Sequence, residues 1–135
     1  MNVKPPVKKI IWLLFFFMLS NAAFSQPNDC ARFKNGKFLI SDPNAGGNTM
    51  IERRGDYQIE SNAGLKLIIQ LKVHWLNNCS YELRFDKLIR NENNIDIPKT
   101  TMLVKITETG SKGYVQETTS PAYNGIYRST VTIIN

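Results

Sequence analysis

The chain has 135 residues, 42% of them hydrophobic, with 17 basic and 11 acidic side chains, one histidine and two cysteines. That length fits a single domain. The charges alternate in sign along the chain, which argues against the clustered basic stripe of a nucleic-acid-binding face, and one histidine with two cysteines falls short of a metal-ligand set.

Residues 1–25 read as a secretory signal peptide. Lys4, Lys8 and Lys9 form a positive start, Ile10 to Leu19 is an apolar run, and Ala23-Phe24-Ser25 places small residues for cleavage before Gln26. The run is about half of the ~20 residues a membrane-spanning helix needs. Cys30 follows Pro27-Asn28-Asp29, not the apolar residues of a lipoprotein signal, so no lipid anchor is expected. The remaining 110 residues carry 14 basic and 11 acidic side chains, a mild net charge of +3. Export, to the periplasm or beyond, is the expectation. In such a compartment the two cysteines, Cys30 and Cys79, fit one disulfide; two free thiols, one of them reactive, are the rival reading.

From Gln26 onward the dominant period is two. Lys37 to Ile40 is a short first strand. Thr49 to Arg54 and Tyr57 to Ser61 meet through Gly55-Asp56, a hairpin signal. Asn62-Ala63-Gly64 turns into a long strand in which Leu67, Ile69, Leu71, Val73 and Trp75 alternate with mostly polar residues, the pattern of a strand with one buried face. Leu76 to Cys79 turns the chain, and Tyr81, Leu83 and Phe85 continue the alternation. Thr101 to Thr109, a turn at Gly110 to Gly113, Tyr114 to Thr119, a loop through Pro121 and Asn124-Gly125, and Ile126 to Ile134 complete the series. The irregular stretches are Ser41–Asn48 and Arg90–Lys99. About eight strands joined by short turns predict an all-β, single-domain fold over 26–135. An antiparallel up-and-down barrel is the economical solution, since closure removes the sheet edges; a β-sandwich is the alternative.

Cys30-x-x-Phe33-x-x-Gly36-x-Phe38, Arg53 and Glu60 on the next pair of strands, and Trp75-x-x-x-Cys79-x-Tyr81-x-Leu83 together resemble a group of small exported proteins of Bacteroidota-type bacteria, a resemblance that covers most of the chain after residue 26 and implies no activity. Gly36-Lys37-Phe38 is also distantly similar to the Gly-x-Trp of lipocalins. That likeness implies a lipocalin-like barrel and a role for Arg128, on the last strand, in covering the closed end.

Candidate chemistry is sparse. His74 falls on the polar face of its strand, near Glu82 or Arg84, and reads as a surface residue. Glu52, Glu60 and Glu82 are expected outward. Ser111 and Ser129 lack the surroundings of a nucleophile elbow. The expected inward aromatics Tyr57, Trp75, Tyr81 and Phe85, with Leu67, Ile69, Leu71, Leu83, Val104 and Ile106, either fill a small barrel or line an apolar pocket with polar tips. No catalytic residue, metal or cofactor is expected. The functional expectation is a non-enzymatic binder or carrier of a small, partly apolar ligand. The alternative is a protein-binding module, such as a hydrolase inhibitor or envelope-stress factor, acting through the two irregular stretches.

Overall fold

The structure, a computed structural model, describes residues 29–43 and 46–135; the expected signal peptide lies outside the described residues. A one-turn 3-10 helix, Cys30–Phe33, leads into eight strands: β1 (Gly36–Asp42), β2 (Gly47–Arg54), β3 (Tyr57–Asn62), β4 (Leu67–Asn77), β5 (Ser80–Asn91), β6 (Met102–Gly110), β7 (Gly113–Ser120) and β8 (Tyr123–Ile133). Each strand pairs antiparallel with the next and β8 returns to β1, so the sheet is a closed barrel and not a sandwich. The predicted turns at Gly55-Asp56, Asn62 to Gly64 and Ser111-Lys112 all connect strands. Two predicted irregular stretches shrink. β1 and β2 extend into Ser41–Asn48, where Ser41 pairs with Asn48 and Asp42 with Gly47. β5 extends through Arg90, which pairs with Ile68.

The two ends of the barrel differ. At one end the 3-10 turn lies across the opening, with Cys30 and Phe33 fully buried. A disulfide joins Cys30 to Cys79 with Cα atoms 5.1 Å apart, which places the turn against the β4–β5 connection. Arg32 donates to the Gly110 carbonyl at the β6–β7 turn, and the Asn35 side chain accepts from the Gly55 amide at the β2–β3 turn. The N-terminal segment is thus tied to all three hairpins of that end. Phe33, Phe38 and Tyr114 stack behind it, with ring centroids 4.7 to 6.3 Å apart. Burying Phe33 alone contributes about 1.5–3 kcal/mol. Ile51, Leu71, Val73, Leu83, Val104, Ile106 and Val131 belong to the same buried cluster.

At the other end the barrel is loosely seamed. β1 meets β8 only through Phe38–Ile40 against Val131–Ile133, and β5 meets β6 only through Ser80–Leu83 against Met102–Lys105. β5 is bulged twice against β4: Asp86 is an extra residue between the pairs Leu71–Phe85 and Gln70–Lys87, and Ile89 between Ile69–Leu88 and Ile68–Arg90. Bulges bend and twist a strand, and these begin just beyond the last β5–β6 pair. The closed end demands the opposite, a tight approach. Gly113 faces Thr132 with φ +152°, and a Cβ there would lie 1.9 Å from the Val131 carbonyl oxygen, so only glycine fits.

The bridge closes a span of 49 residues, for which the chain-entropy account gives roughly 4 kcal/mol. Denaturant unfolding with and without reductant should differ by about that amount, with a lower melting temperature for the reduced protein. Coincident curves would show that the N-terminal turn holds without its bridge.

Candidate functional site

The closed end is organised by one charged residue. Alternation along β2 sends Ile51 and Arg53 inward and Glu52 and Arg54 outward, where Arg54 and Glu52 pair at 2.7 Å. Arg53 is completely buried. Its Nε donates to Gln58 Oε1 at 2.8 Å, one terminal nitrogen donates to the Phe33 carbonyl at 2.6 Å, and the other donates to the phenol oxygens of Tyr81 at 3.0 Å and Tyr114 at 3.2 Å. Its carbon sits 4.7 Å from the Tyr81 ring centroid and 5.1 Å from that of Phe38, an arrangement in which ring faces add to the attraction. The Tyr81 hydroxyl in turn donates a hydrogen bond to Gln116 Oε1 at 3.2 Å. Burial pushes the Tyr81 phenol well above its ordinary pKa, so it stays a neutral donor.

The network runs on into the barrel. Gln58 Nε2 donates to Glu60 Oε1 at 2.8 Å, so one side-chain amide spans guanidinium and carboxylate. Gln58, Glu60 and Asn62 form the inward row of β3: Gln58 pairs with inward Leu71, and Glu60 with Ile51 on one side and Ile69 on the other. A cavity of about 150 Å³ opens beside this row, lined by Thr49, Glu60, Asn62, Leu65, Leu67 and Ile69. The Asn62 amide accepts from the Leu65 backbone N–H at 2.9 Å and donates to Thr49 Oγ1 at 3.1 Å, which fixes the rim. The cavity therefore has polar groups on β2 and β3 and an apolar wall on the β3–β4 turn and β4.

The aromatics expected to line a pocket separate. Tyr81 belongs to the arginine network. Trp75 packs on it at 4.5 Å between centroids, and its Nε1 is buried without a protein partner. Phe85 pairs with Leu71 and faces the interior, with the Lys99 ammonium 5.4 Å from its ring. Tyr57 is on the outside: it pairs with Arg54 and Lys72 and is 47% exposed. The two-residue turn at Gly55-Asp56 sets this register, so that Gln58 and not Tyr57 shares the inward face with Arg53. The same phase brings Glu60 inward, contrary to the sequence expectation, while Glu52 and Glu82 face outward. Arg128 does not cover the closed end. It lies outside, bonded to Glu108 at 2.8 Å and Glu117 at 3.4 Å, because β8 turns Ser129 and Val131 inward. His74 is on the outer face, 3.8 Å from Glu82, which also pairs with Arg84 at 3.2 Å.

Arg53 is a structural charge whose donors are turned to protein oxygens, and the cavity offers recognition groups: a carboxylate, a hydroxyl and an apolar wall. Among the described residues no group of three or more His, Cys, Asp or Glu converges to hold a metal ion. Gln58 and Glu60 were missed as interior residues because an inward row with no apolar side chain looks like a solvated one, and Arg53 because a charge beside inward Ile51 reads as a strand end; the legible signal was the two-residue turn at Gly55-Asp56, which pairs Arg53 with Gln58. The chain matches no family model, no curated protein and no solved structure.

Replacing Arg53 by Met leaves four buried oxygens without their donor and should cost roughly 3–5 kcal/mol of stability. Arg128→Ala removes only exposed ion pairs and should cost less than about 1 kcal/mol; equal losses in urea unfolding would contradict the assignment of the closed end. Glu60 gives a pH test. Burial raises its pKa, and the Gln58 amide and Arg53 charge offset only part of this. The native state therefore holds the Glu60 proton more tightly than the unfolded chain. That contribution to stability is full below the unfolded value of about 4.3 and is lost as pH rises through the native value. Glu60→Gln should gain in stability relative to the parent between pH 4 and pH 7, and a pH-independent difference would refute the shift.

Proposed function

We propose that this protein is a non-enzymatic binder or carrier of a small, partly apolar ligand, taken up at the barrel end opposite the disulfide. The observation that carries this reading is the cavity beside β3, whose lining pairs Thr49, Glu60 and Asn62 with Leu65, Leu67 and Ile69. A space of about 150 Å³ takes a ring or short chain of about six heavy atoms, and a longer ligand would extend through the loosely seamed end. Small-molecule sites share this make-up, an apolar lining with a few placed polar groups. Export belongs to the same reading: a signal peptide over 1–25, cleavage near Ser25/Gln26, and a bridge suited to an oxidising compartment.

One observation favours the alternative, a protein-binding module such as a hydrolase inhibitor or envelope-stress factor. Leu88, Ile89, Ile126 and Tyr127 are exposed on stretches of β5 and β8 that pair on one side only, and such edges can accept a further strand.

The cavity reading is tested by titrating isotope-labelled protein with hexan-1-ol and following backbone amides by NMR. Shifts should concentrate at Thr49, Glu60 to Asn62 and Leu65 to Ile69, and Ile69→Trp, which fills the space, should remove them while the rest of the spectrum is retained. An absence of shifts there, or shifts confined to Leu88, Ile89, Ile126 and Tyr127, would sink the reading. N-terminal sequencing of protein released by its native host should begin at Gln26; a chain that retains residues 1–25 would refute export by cleavage.

A further inference from the structure

An amphiphile that enters this cavity meets a single anionic group. We propose that Glu60 receives the ligand's head group and that this head group is a primary or secondary amine in its cationic form, with the apolar part lying against Leu65, Leu67 and Ile69; the assignment rests on the cavity reading given above. Three features of the lining lead to it. Glu60 Oε1 accepts one hydrogen bond, from Gln58, whereas a carboxylate has about four acceptor sites, so capacity remains on a side chain that lines the cavity. Asn62 commits its oxygen to the Leu65 amide and its nitrogen to Thr49, and so serves the rim. Thr49 Oγ1 accepts that bond, which leaves its hydroxyl proton to be donated elsewhere.

The charge balance points the same way. Arg53 is the only cation acting on Glu60 among the groups that shift its titration, and it acts at a distance, its N–H groups being directed at Gln58, Phe33, Tyr81 and Tyr114 in the closed half. It therefore cannot serve as the receptor of an acid entering the cavity, and an acid would meet the Glu60 carboxylate directly. A neutral alcohol gains one ordinary hydrogen bond. An ammonium gains a charge-assisted one, roughly twice as strong, and gives a half-buried anion a direct partner.

The test uses the intact protein and three probes of one length, hexylammonium, hexan-1-ol and hexanoate, titrated at neutral pH and equal ionic strength with the cavity amides as readout. Hexylammonium should bind about tenfold more tightly than hexan-1-ol, and hexanoate most weakly. Glu60→Gln should bring hexylammonium to within about threefold of hexan-1-ol. If that variant does not fold, the order of the three probes on the parent protein decides alone. Binding of hexan-1-ol with no preference for hexylammonium would overturn the head-group assignment and leave the cavity reading standing. Failure of hexan-1-ol to move the cavity amides would overturn both. Hexylammonium shifts at exposed carboxylates such as Glu92 and Asp96 in place of the cavity would also count against the assignment.

Discussion

A guanidinium buried among aromatic rings sets the terms for the closed half of this barrel. Taking such a charge out of water is expensive unless its donors are met, and here four oxygens from four segments meet it: Phe33 ahead of the barrel, Gln58 on β3, Tyr81 on β5 and Tyr114 on β7. No one of these segments can move without leaving a buried donor or acceptor unpaired. The arginine thus couples the N-terminal turn to strands on several sides of the barrel, and the disulfide at Cys79, two residues from Tyr81, fastens the same region covalently. Apolar packing among Phe33, Phe38 and Tyr114 supplies cohesion, and the hydrogen-bond geometry of Arg53 supplies a unique arrangement.

The two halves of the barrel divide their work along β3. Gln58 belongs to the closed half, held by Arg53; Asn62 belongs to the rim, held by Thr49 and the Leu65 amide; Glu60 lies between them with acceptor capacity left over. A strand that carried leucines at these three positions would extend the dry core to the mouth and leave nothing to recognise a polar group. The polar row costs stability, because burial disfavours the charged Glu60 carboxylate and raises its pKa.

Much of this fold was legible from alternation. β4 and the first half of β5 bury Leu71, Val73, Tyr81 and Leu83 in the phase the sequence indicates, the turns fall at the Gly and Asn signals, and the single bridge follows from two cysteines in a chain expected to be exported. The misreadings share one physical cause. Assigning the inward phase by apolarity presumes a dry interior, and on β3 that rule selects Tyr57 and Ile59, when the register from the Gly55-Asp56 turn selects Gln58 and Glu60. Arg53 and Arg128 look alike in sequence as arginines on strands; which one is buried depends on which has phenols and a carbonyl opposite it, a long-range property that no local pattern carries. The cavity was equally hidden, because its lining depends on the inward phase of β3 that apolarity misassigns.

Those seams give the barrel a mechanical character. The rungs that join the leaf β1–β5 to the leaf β6–β8 lie in Lys37–Ile40 with Val131–Ile134 and in Cys79–Leu83 with Met102–Ile106, toward the riveted end. The described strands have no rung to break above them. The molecule is built like a clothes-peg, with the spring at the arginine and the jaws where β5 faces β6 and β1 faces β8 beyond those rungs. Prising the jaws apart severs no ladder hydrogen bond between the leaves, so that end of the barrel can flex while the aromatic half stays shut.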